Sequence, residues 1–152
     1  MVTVAQPDGT SRQYRYGYMY ALNEGRLLGT TTLDALGNPV RVESTTYLSE
    51  AAAGSQAFHP LYGFGYGGDE PSSLAVRPIV SQMVQQDGAT FTMEVVSGAA
   101  CGGAGVYCFD VYGHPTRVRR YSSLGATRTD ATAYQHDTTA WLLGLVMRGH
   151  LE

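Results

Sequence analysis

The sequence contains no lysine, so all ten of its basic residues are arginines. Thirteen acidic residues bring the formal net charge to −3, and the arginines form no basic stripe of the kind that binds nucleic acid. No apolar run approaches the roughly 20 residues that span a bilayer, and the N-terminus has no charged segment leading into an apolar one. We therefore expect no nucleic-acid binding, no membrane insertion and no signal peptide in this chain.

Glycine and tyrosine are abundant, with 19 and 11 residues, and this composition favours turns and strands over helices. No stretch keeps a helical apolar period over the roughly 11–18 positions that an amphipathic helix needs. The sequence therefore predicts an all-β fold, built from antiparallel β-hairpin repeats that form a curved sheet or ribbon.

A ten-residue sequence motif, termed the phrase, occurs twice, at residues 33–42 and again at residues 109–118, 76 positions later. Both copies read Asp-x-x-Gly-x-Pro-x-Arg-Val after their first residue. An Asp side chain bonds backbone groups two residues on, and Pro fixes φ, so the phrase is typical of a turn that leads into a strand. Asp34 and Asp110 could also serve as a carboxylate pair in acid–base chemistry, but their equivalent repeat positions favour the turn interpretation.

An Asp-Gly pair precedes each phrase, at Asp8-Gly9 and at Asp87-Gly88. Between β-rich runs, such a pair is a strong signal for a type I′ hairpin turn. Both central residues of that turn have positive φ, so the sequence predicts this conformation at both pairs.

The repeated order of hairpin, spacer and turn predicts three segments along the chain. These are a first β-repeat unit over residues 1–48, a Gly/aromatic-rich connecting segment over residues 49–78, and a second β-repeat unit over residues 79–152. Residues 141–146 are the most apolar segment and are predicted to be buried. Alternating tyrosines are predicted to share one strand face: Tyr14, Tyr16, Tyr18 and Tyr20.

Cys101 and Cys108 flank a glycine-rich stretch. A turn there could join the two thiols in a disulfide, which suits an oxidising compartment, or leave two free thiols, and both interpretations stay open. A zinc site at these cysteines is disfavoured, because the spacing is not Cys-x-x-Cys and no second pair exists.

The histidines show no metal-ligand spacing: His59, His114, His136 and His150. His114 stands where the first phrase has Asn38, so a turn role accounts for it. His136 and Asp137 could be half of a hydrolase triad, yet no Gly-x-Ser-x-Gly element accompanies them. We therefore predict that the chain is not an enzyme and has no catalytic residues, no metal site and no cofactor.

Tyr62, Phe64 and Tyr66 alternate with glycine in the connecting segment. They could form an exposed stacking surface, which would make the chain an extracellular β-module that binds carbohydrate or a surface partner. The interpretation that we favour is that these rings pack against the sheet, while glycine lets the backbone approach closely.

Residues 25–27 read Gly-Arg-Leu and stand ahead of the first Asp-x-x-Gly turn. This pattern resembles the repeat of Rhs/YD-repeat proteins, whose units read roughly Gly-Arg-Leu, a spacer, Tyr-Asp, two residues and Gly-Asn. Residues 109–116 resemble the same pattern. In this sequence Leu33 and Phe109 replace the Tyr, and His114 replaces the Asn of the second copy.

The resemblance implies a long β-ribbon that spirals into a hollow shell, which in bacterial toxin systems encloses a C-terminal toxic domain. By that resemblance the chain is a wall section of a secreted or cell-surface protein, and an internal piece of a longer exported chain. Its partners would be the adjacent YD repeats and the encapsulated toxin domain. Unpaired strand edges invite pairing, so the isolated polypeptide is expected to be marginally stable or to associate.

Overall fold

The computed structural model of this protein describes residues 1–19, 23–59 and 76–151. Within them the chain is all-β, as predicted, with one nine-stranded antiparallel sheet and a separate two-stranded hairpin. The strands are β1 Val2–Ala5, β2 Ser11–Tyr16, β3 Leu27–Leu33, β4 Pro39–Tyr47, β5 Ile79–Gln86, β6 Ala89–Val95, β7 Ser97–Gly98, β8 Gly103–Tyr107, β9 Arg117–Ser122, β10 Thr127–Asp137 and β11 Leu142–Leu151. A single α-helical turn, α1, spans Glu50–Ala53, and a 3-10 turn spans Ala99–Cys101. No helix in the described ranges is long and apolar enough to cross a membrane.

The strands of the large sheet lie in the order β1-β2-β3-β4-β5-β6-β9-β10-β11. Neighbours in space are neighbours in sequence except between β6 and β9, where β7 and β8 form the separate hairpin. Antiparallel neighbours can be joined by tight hairpin loops, as between β1 and β2, whereas β4 and β5 are joined through residues 48–78. β1 and β11 stand first and last in this order, so each has one unpaired side among the described strands.

Four hairpin turns of this chain share one geometry. In each, the N–H of the first residue donates to the carbonyl oxygen of the fifth at 2.9 Å, and the N–H of the fourth donates to the carbonyl oxygen of the first at 3.1 Å. The turns begin at Gln6, Asp34, Asp110 and Ser122. The fourth residue is always a glycine with φ between 84° and 88°, namely Gly9, Gly37, Gly113 and Gly125. Glycine adopts this φ without a steric cost, and it closes the turn as a bulge of the G1 type.

The turn at Asp8 is not the predicted type I′ turn, because only the following glycine has positive φ. Asp8 is instead the third residue of the shared turn, where it accepts a hydrogen bond from the N–H of Thr10 at 2.9 Å. Pro7 supplies the physical reason, since its fixed negative φ suits the second position of a type I turn. Asp87 and Gly88 do adopt the predicted conformation between β5 and β6, with φ of 50° and 73°.

The chain divides into two compact units, each assembled from three segments. The first contains Met1–Thr46, Ser81–Met93 and Tyr121–Ala126, and the second contains Tyr47–Val80, Glu94–Arg120 and Thr127–Glu152. This is a spatial division, whereas the two predicted repeat units are consecutive stretches of sequence, and the repeat boundaries stay a prediction. Of the eight apolar residues buried in the described ranges, all except Ala89 belong to the second unit.

The hydrophobic core of the second unit is a cluster of Leu48, Ala53, Phe58 and Val80. Leu48 directly follows β4 and is only 2 % exposed. α1 forms directly after it because Ser49 accepts a hydrogen bond from the N–H of Ala52 at 3.2 Å. This turn places Ala53 in the core.

Residues 141–146, which were expected to be buried, are largely exposed, so this prediction is wrong. Trp141 precedes β11 and is 82 % exposed, and Val146 within that strand is 65 % exposed. The consecutive residues Leu145 and Val146 point to opposite faces of β11 and are both exposed, so neither face of the strand is covered there. A continuous apolar run is buried only when both faces of its strand are covered, and its composition alone does not reveal that.

Only part of the predicted tyrosine face forms. The rings of Tyr14 and Tyr16 stack with their centroids 6.4 Å apart. β2 ends at Tyr16, before Gly17, a residue type that weakens strands. Tyr18 lies beyond this end and is 88 % exposed, and Tyr20 lies outside the described residues.

Cys101 and Cys108 form a disulfide, with their Cα atoms 4.8 Å apart. This resolves the choice between a disulfide and two free thiols that the sequence left open. Cys101 ends the 3-10 turn and Cys108 directly follows β8, so the bond closes the β7–β8 hairpin.

Removal of this disulfide is expected to lower the free energy of unfolding by about 2 kcal/mol, since the bond constrains the unfolded chain and closes only a short loop. Urea unfolding of a Cys101→Ser/Cys108→Ser double variant, followed by far-UV circular dichroism, measures the loss. A reductant should destabilise the wild type by a similar amount and leave the double variant unchanged. Equal stability of the two oxidised proteins would contradict the prediction.

Candidate functional site

Asp110 opens the third of the four shared turns, between β8 and β9, and its side chain is 12 % exposed. Its Oδ1 accepts hydrogen bonds from the backbone N–H groups of Tyr112 and His114 at 2.9 and 2.8 Å. Its Oδ2 is 2.9 Å from Nδ1 of His114. Phe109 anchors the turn to the core, because its ring centroid lies 5.9 Å from that of Phe58.

The first copy of the phrase builds the same network around Asp34. Oδ1 accepts from the N–H groups of Leu36 and Asn38 at 2.9 and 2.8 Å, and Oδ2 accepts from the side-chain amide of Asn38 at 3.1 Å. The Asn38 amide and the His114 imidazole therefore occupy equivalent donor positions. This confirms that Asp34 and Asp110 are equivalent turn residues and that His114 is the counterpart of Asn38.

A second histidine approaches the Asp110 turn from β10. His136 lies with its Nε2 3.0 Å from Oδ2 of Asp110, and its Nδ1 accepts a hydrogen bond from the N–H of Gly144 at 3.0 Å. One ligand-type atom from each of Asp110, His114 and His136 lies within 4.8 Å of the other two. No other group of three His, Cys, Asp or Glu side chains comes this close within the described part of the chain. These three residues are termed the Asp110 cluster.

The hydrogen bonds fix the proton positions in the Asp110 cluster. A backbone N–H can only donate, so the Gly144 contact requires a lone pair on Nδ1 of His136 and places the proton of the neutral ring on Nε2. Both rings then donate to the same carboxylate oxygen, His136 from Nε2 and His114 from Nδ1. Together with two backbone groups, four N–H donors hold the Asp110 carboxylate. Such charge-assisted bonds are stronger than neutral ones.

Position 144 requires glycine for two reasons. Its φ of 75° lies in the left-handed region, which favours glycine. A Cβ added there would also come within 2.7 Å of Nε2 of His114. The missing side chain lets the backbone of β11 reach His136 while the His114 ring lies against it.

Aromatic rings line the Asp110 cluster. The rings of Tyr112 and His136 meet edge-on with centroids 4.5 Å apart, and Tyr134 lies 5.2 Å from His114. The ring of His59 stacks on Tyr112 at 5.0 Å. These rings replace part of the water around the cluster, and a lower local dielectric strengthens the hydrogen bonds to its carboxylate.

Tyr134 reports on the electrostatics of this region. Burial raises the pKa of its hydroxyl above the ordinary 10.0, the negative charge of Asp110 raises it further, and a hydrogen bond with Thr132 opposes both effects. The hydroxyl also donates to the carbonyl oxygen of Pro115 at 3.1 Å. Tyr134 therefore fastens β10 to the end of the Asp110 turn.

Two exposed carboxylates outside the cluster have lowered pKa values. Hydrogen bonds from the backbone and side chain of Asn38 hold the pKa of Asp34 below its ordinary 3.8, and the side-chain and backbone bonds from Thr10 do the same for Asp8. Their stabilising effect is fully present above the unfolded pKa and is lost as the pH falls through the lowered folded value. Both turns therefore keep these bonds at neutral pH.

Other residues that the sequence singled out lie elsewhere in the molecule. Asp137 accepts hydrogen bonds from the N–H groups of Thr139 and Ala140, at 3.0 and 2.9 Å, within the β10–β11 turn. The carboxylate beside His136 is therefore that of Asp110. The proposed aromatic binding residues lie outside the described ranges: Tyr62, Phe64 and Tyr66.

Sequence spacing did not reveal the Asp110 cluster, because its members come from different elements. His114 in the turn and His136 in β10 are 22 positions apart, whereas ligand motifs are recognised by short spacings. One signal was present in the repeat itself. The second phrase carries a ligand-type imidazole where the first carries an amide. The expected absence of a metal site remains a prediction.

The architecture defines this protein as an all-β hairpin protein with one recurrent turn. A comparison with protein-family models, curated proteins and solved structures finds no significant match to this chain. Its resemblance to YD repeats therefore rests on sequence motifs alone, namely the Gly-Arg-Leu of residues 25–27 and the repeated phrases.

Proposed function

We propose that this chain is a structural β-module, a YD-repeat section of the encapsulating shell of an Rhs-like secreted or cell-surface protein. The observation that carries the proposal is the fourfold use of one turn in an antiparallel β protein, where three of the four turns join neighbouring strands of the large sheet. A repeat protein builds a wall by adding one supersecondary unit after another, each of which buries surface against its neighbours. The role of the module would be mechanical.

The two edge strands support the proposal. All four residues of β1 are exposed, including Val2 and Val4, and β11 exposes apolar side chains such as Val146 and Met147. Edge strands of isolated soluble proteins are usually blocked by charged side chains, lysine above all, or by proline. β1 contains no charged residue and no proline, and β11 contains no proline and a single arginine, Arg148. Adjacent repeats of a longer chain would cover both edges.

The disulfide supports the exported location. Disulfides persist in oxidising compartments and are rare in the reducing cytosol. The Cys101–Cys108 bond lies in the second compact unit, which also holds the hydrophobic core. A module that must survive outside the cell gains from a covalent constraint on that unit.

Blocking one edge tests the proposal. The wild-type chain is expected to associate as its concentration rises, because unpaired strand groups can pair with another copy. A Val146→Lys/Met147→Lys variant, which places charge on β11, should shift the chain toward the monomer. The matched control is Leu36→Lys/Leu124→Lys, at turn positions that are 87 % and 74 % exposed. Gel filtration with light scattering over a concentration series measures all three proteins.

The control variant should associate like the wild type, because it has the same added charge but intact edges. A wild-type chain that stays monomeric at every concentration would argue against uncovered edges. The coding sequence on either side of this chain should also continue in frame with further Asp-x-x-Gly-x-Pro phrases. Flanking sequence without such phrases would remove the basis for a repeat shell.

A further inference from the structure

We infer that the Asp110 cluster binds one divalent transition-metal ion, with Zn²⁺ as the expected ligand. The cluster offers a carboxylate oxygen from Asp110 and imidazole nitrogens from His114 and His136, within 4.8 Å of one another. Zinc takes these donors, and three protein ligands leave a fourth position for water. Mg²⁺ prefers sites made of oxygen and should bind poorly here. The side chains are 12 %, 35 % and 18 % exposed, so they are partly desolvated yet reachable.

The two copies of the phrase separate what the turn needs from what the second copy adds. In the first copy, the amide of Asn38 completes the turn around Asp34. Histidine is therefore not required for this fold. The second copy has an imidazole at that position, and β10 brings His136 to the same carboxylate oxygen. The turn itself needs neither imidazole, and the presence of two imidazoles on one carboxylate is the observation that points to a metal ion.

Metal binding requires a rearrangement of protons within the cluster. In the hydrogen-bonded state, Nδ1 of His114 and Nε2 of His136 carry the protons that point at Asp110. An ion at this place needs the lone pairs of both nitrogens, so the proton on each of them moves to the other nitrogen of its ring through solvent. For His136 that other nitrogen faces the N–H of Gly144 at 3.0 Å. Ion binding therefore breaks this hydrogen bond.

The two histidine nitrogens must also move slightly away from Oδ2 of Asp110, from which they lie 2.9 and 3.0 Å in the hydrogen-bonded state. Zinc bonds of about 2.0–2.1 Å place tetrahedral ligands about 3.4 Å apart. The β10–β11 hairpin can supply the movement, because its register is interrupted between Gln135 and Asp137, on either side of His136. The bound ion would then join the Asp110 turn to β10 in place of the direct hydrogen bonds.

Calorimetric titration of the untagged, disulfide-bonded chain with Zn²⁺ tests the inference, and one ion per chain is expected. The main variant is His114→Asn, because Asn38 shows that asparagine completes the same turn. It should keep the thermal stability of the wild type and bind zinc more weakly by roughly tenfold or more, since even outer-shell partners are worth roughly 10–100-fold in affinity. His136→Asn should weaken binding likewise.

Two controls complete the experiment. His150→Asn removes a histidine outside the cluster. Asn38→His adds a histidine to the turn at Asp34, which contains none of the three residues of the Asp110 cluster. Both should bind zinc like the wild type. In NMR spectra of the wild type, saturating Zn²⁺ should shift the amide signal of Gly144, and Mg²⁺ should not.

Equal zinc affinity in the wild type, His114→Asn and His136→Asn would place the ion elsewhere and overturn the inference. A Gly144 amide that does not respond to saturating zinc would also overturn it, because the proton rearrangement requires that response. A wild-type chain that binds no zinc would end it outright. None of these outcomes depends on association through the strand edges, so the inference and the shell proposal can fail separately.

Discussion

Leu48→Ala is expected to lower the free energy of unfolding by about 3 to 4 kcal/mol, because truncation of a buried leucine removes apolar contacts and leaves a cavity. Leu48 is 2 % exposed and packs in the cluster with Ala53, Phe58 and Val80. Its backbone N–H donates to the carbonyl oxygen of Pro78 at 2.9 Å, and this bond survives the substitution. Urea unfolding followed by far-UV circular dichroism measures the change as a shift of the midpoint at constant slope.

Leu36→Ala is the matched control for this prediction. This variant makes the same leucine-to-alanine substitution at a turn position where the leucine is 87 % exposed. Its effect should stay within about 0.5 kcal/mol, as for other surface substitutions. Similar losses in the two variants would show that the cluster around Leu48 is not the main source of apolar stabilisation.

Asp110→Ala is expected to cost about 2 to 3 kcal/mol, since it leaves partly buried N–H groups without their charged acceptor. The substitution removes the acceptor for the backbone of Tyr112 and for the backbone and imidazole of His114, and it releases His136. Asp34→Ala is the control, because the same turn network there is exposed to water, which can replace the lost bonds. Urea unfolding should give a clearly smaller loss for Asp34→Ala, and equal losses would mean that the approach of His136 adds nothing.

Asp110→Asn separates charge from geometry in the same region. The Asp110 charge helps to raise the pKa of Tyr134, so its removal should bring that pKa back toward 10.0. A Tyr134 pKa raised in the folded state stabilises the fold below the unfolded pKa, and this contribution is lost as the pH rises through the folded value. NMR titration of the Tyr134 ring measures the shift. An unchanged pKa in Asp110→Asn would limit its cause to burial.

The turns could be predicted from sequence because their conformation depends on residues only a few positions apart. The repeated phrase marked the Asp34 and Asp110 turns, and the structure shows the same hydrogen bonds in both. The turn at Ser122 cannot be recognised from the phrase, since it lacks the Asp and Pro and shares only the glycine at the fourth position. The turn at Asp8 differs from the predicted type because Pro7 fixes a negative φ at the second position.

Only part of the Asp110 cluster could be predicted from the sequence. His114 could be recognised as the turn counterpart of Asn38, because both occupy the same position of the phrase. The approach of His136 could not be predicted, since it depends on how β10 pairs and on the absence of a side chain at Gly144. A local pattern carries no information about which distant strand lies beside it.

By itself, the sequence determined the all-β class, the glycine and aspartate turns and the equivalence of the two phrases, because φ preferences and short-range hydrogen bonds act within a few residues. Only the tertiary structure decided which strands became edges and which side chains met. It left the apolar residues 141–146 largely exposed and brought His136 to the carboxylate of Asp110. Burial and contacts between distant side chains depend on strand order and register, which are set by pairing between residues far apart in the chain.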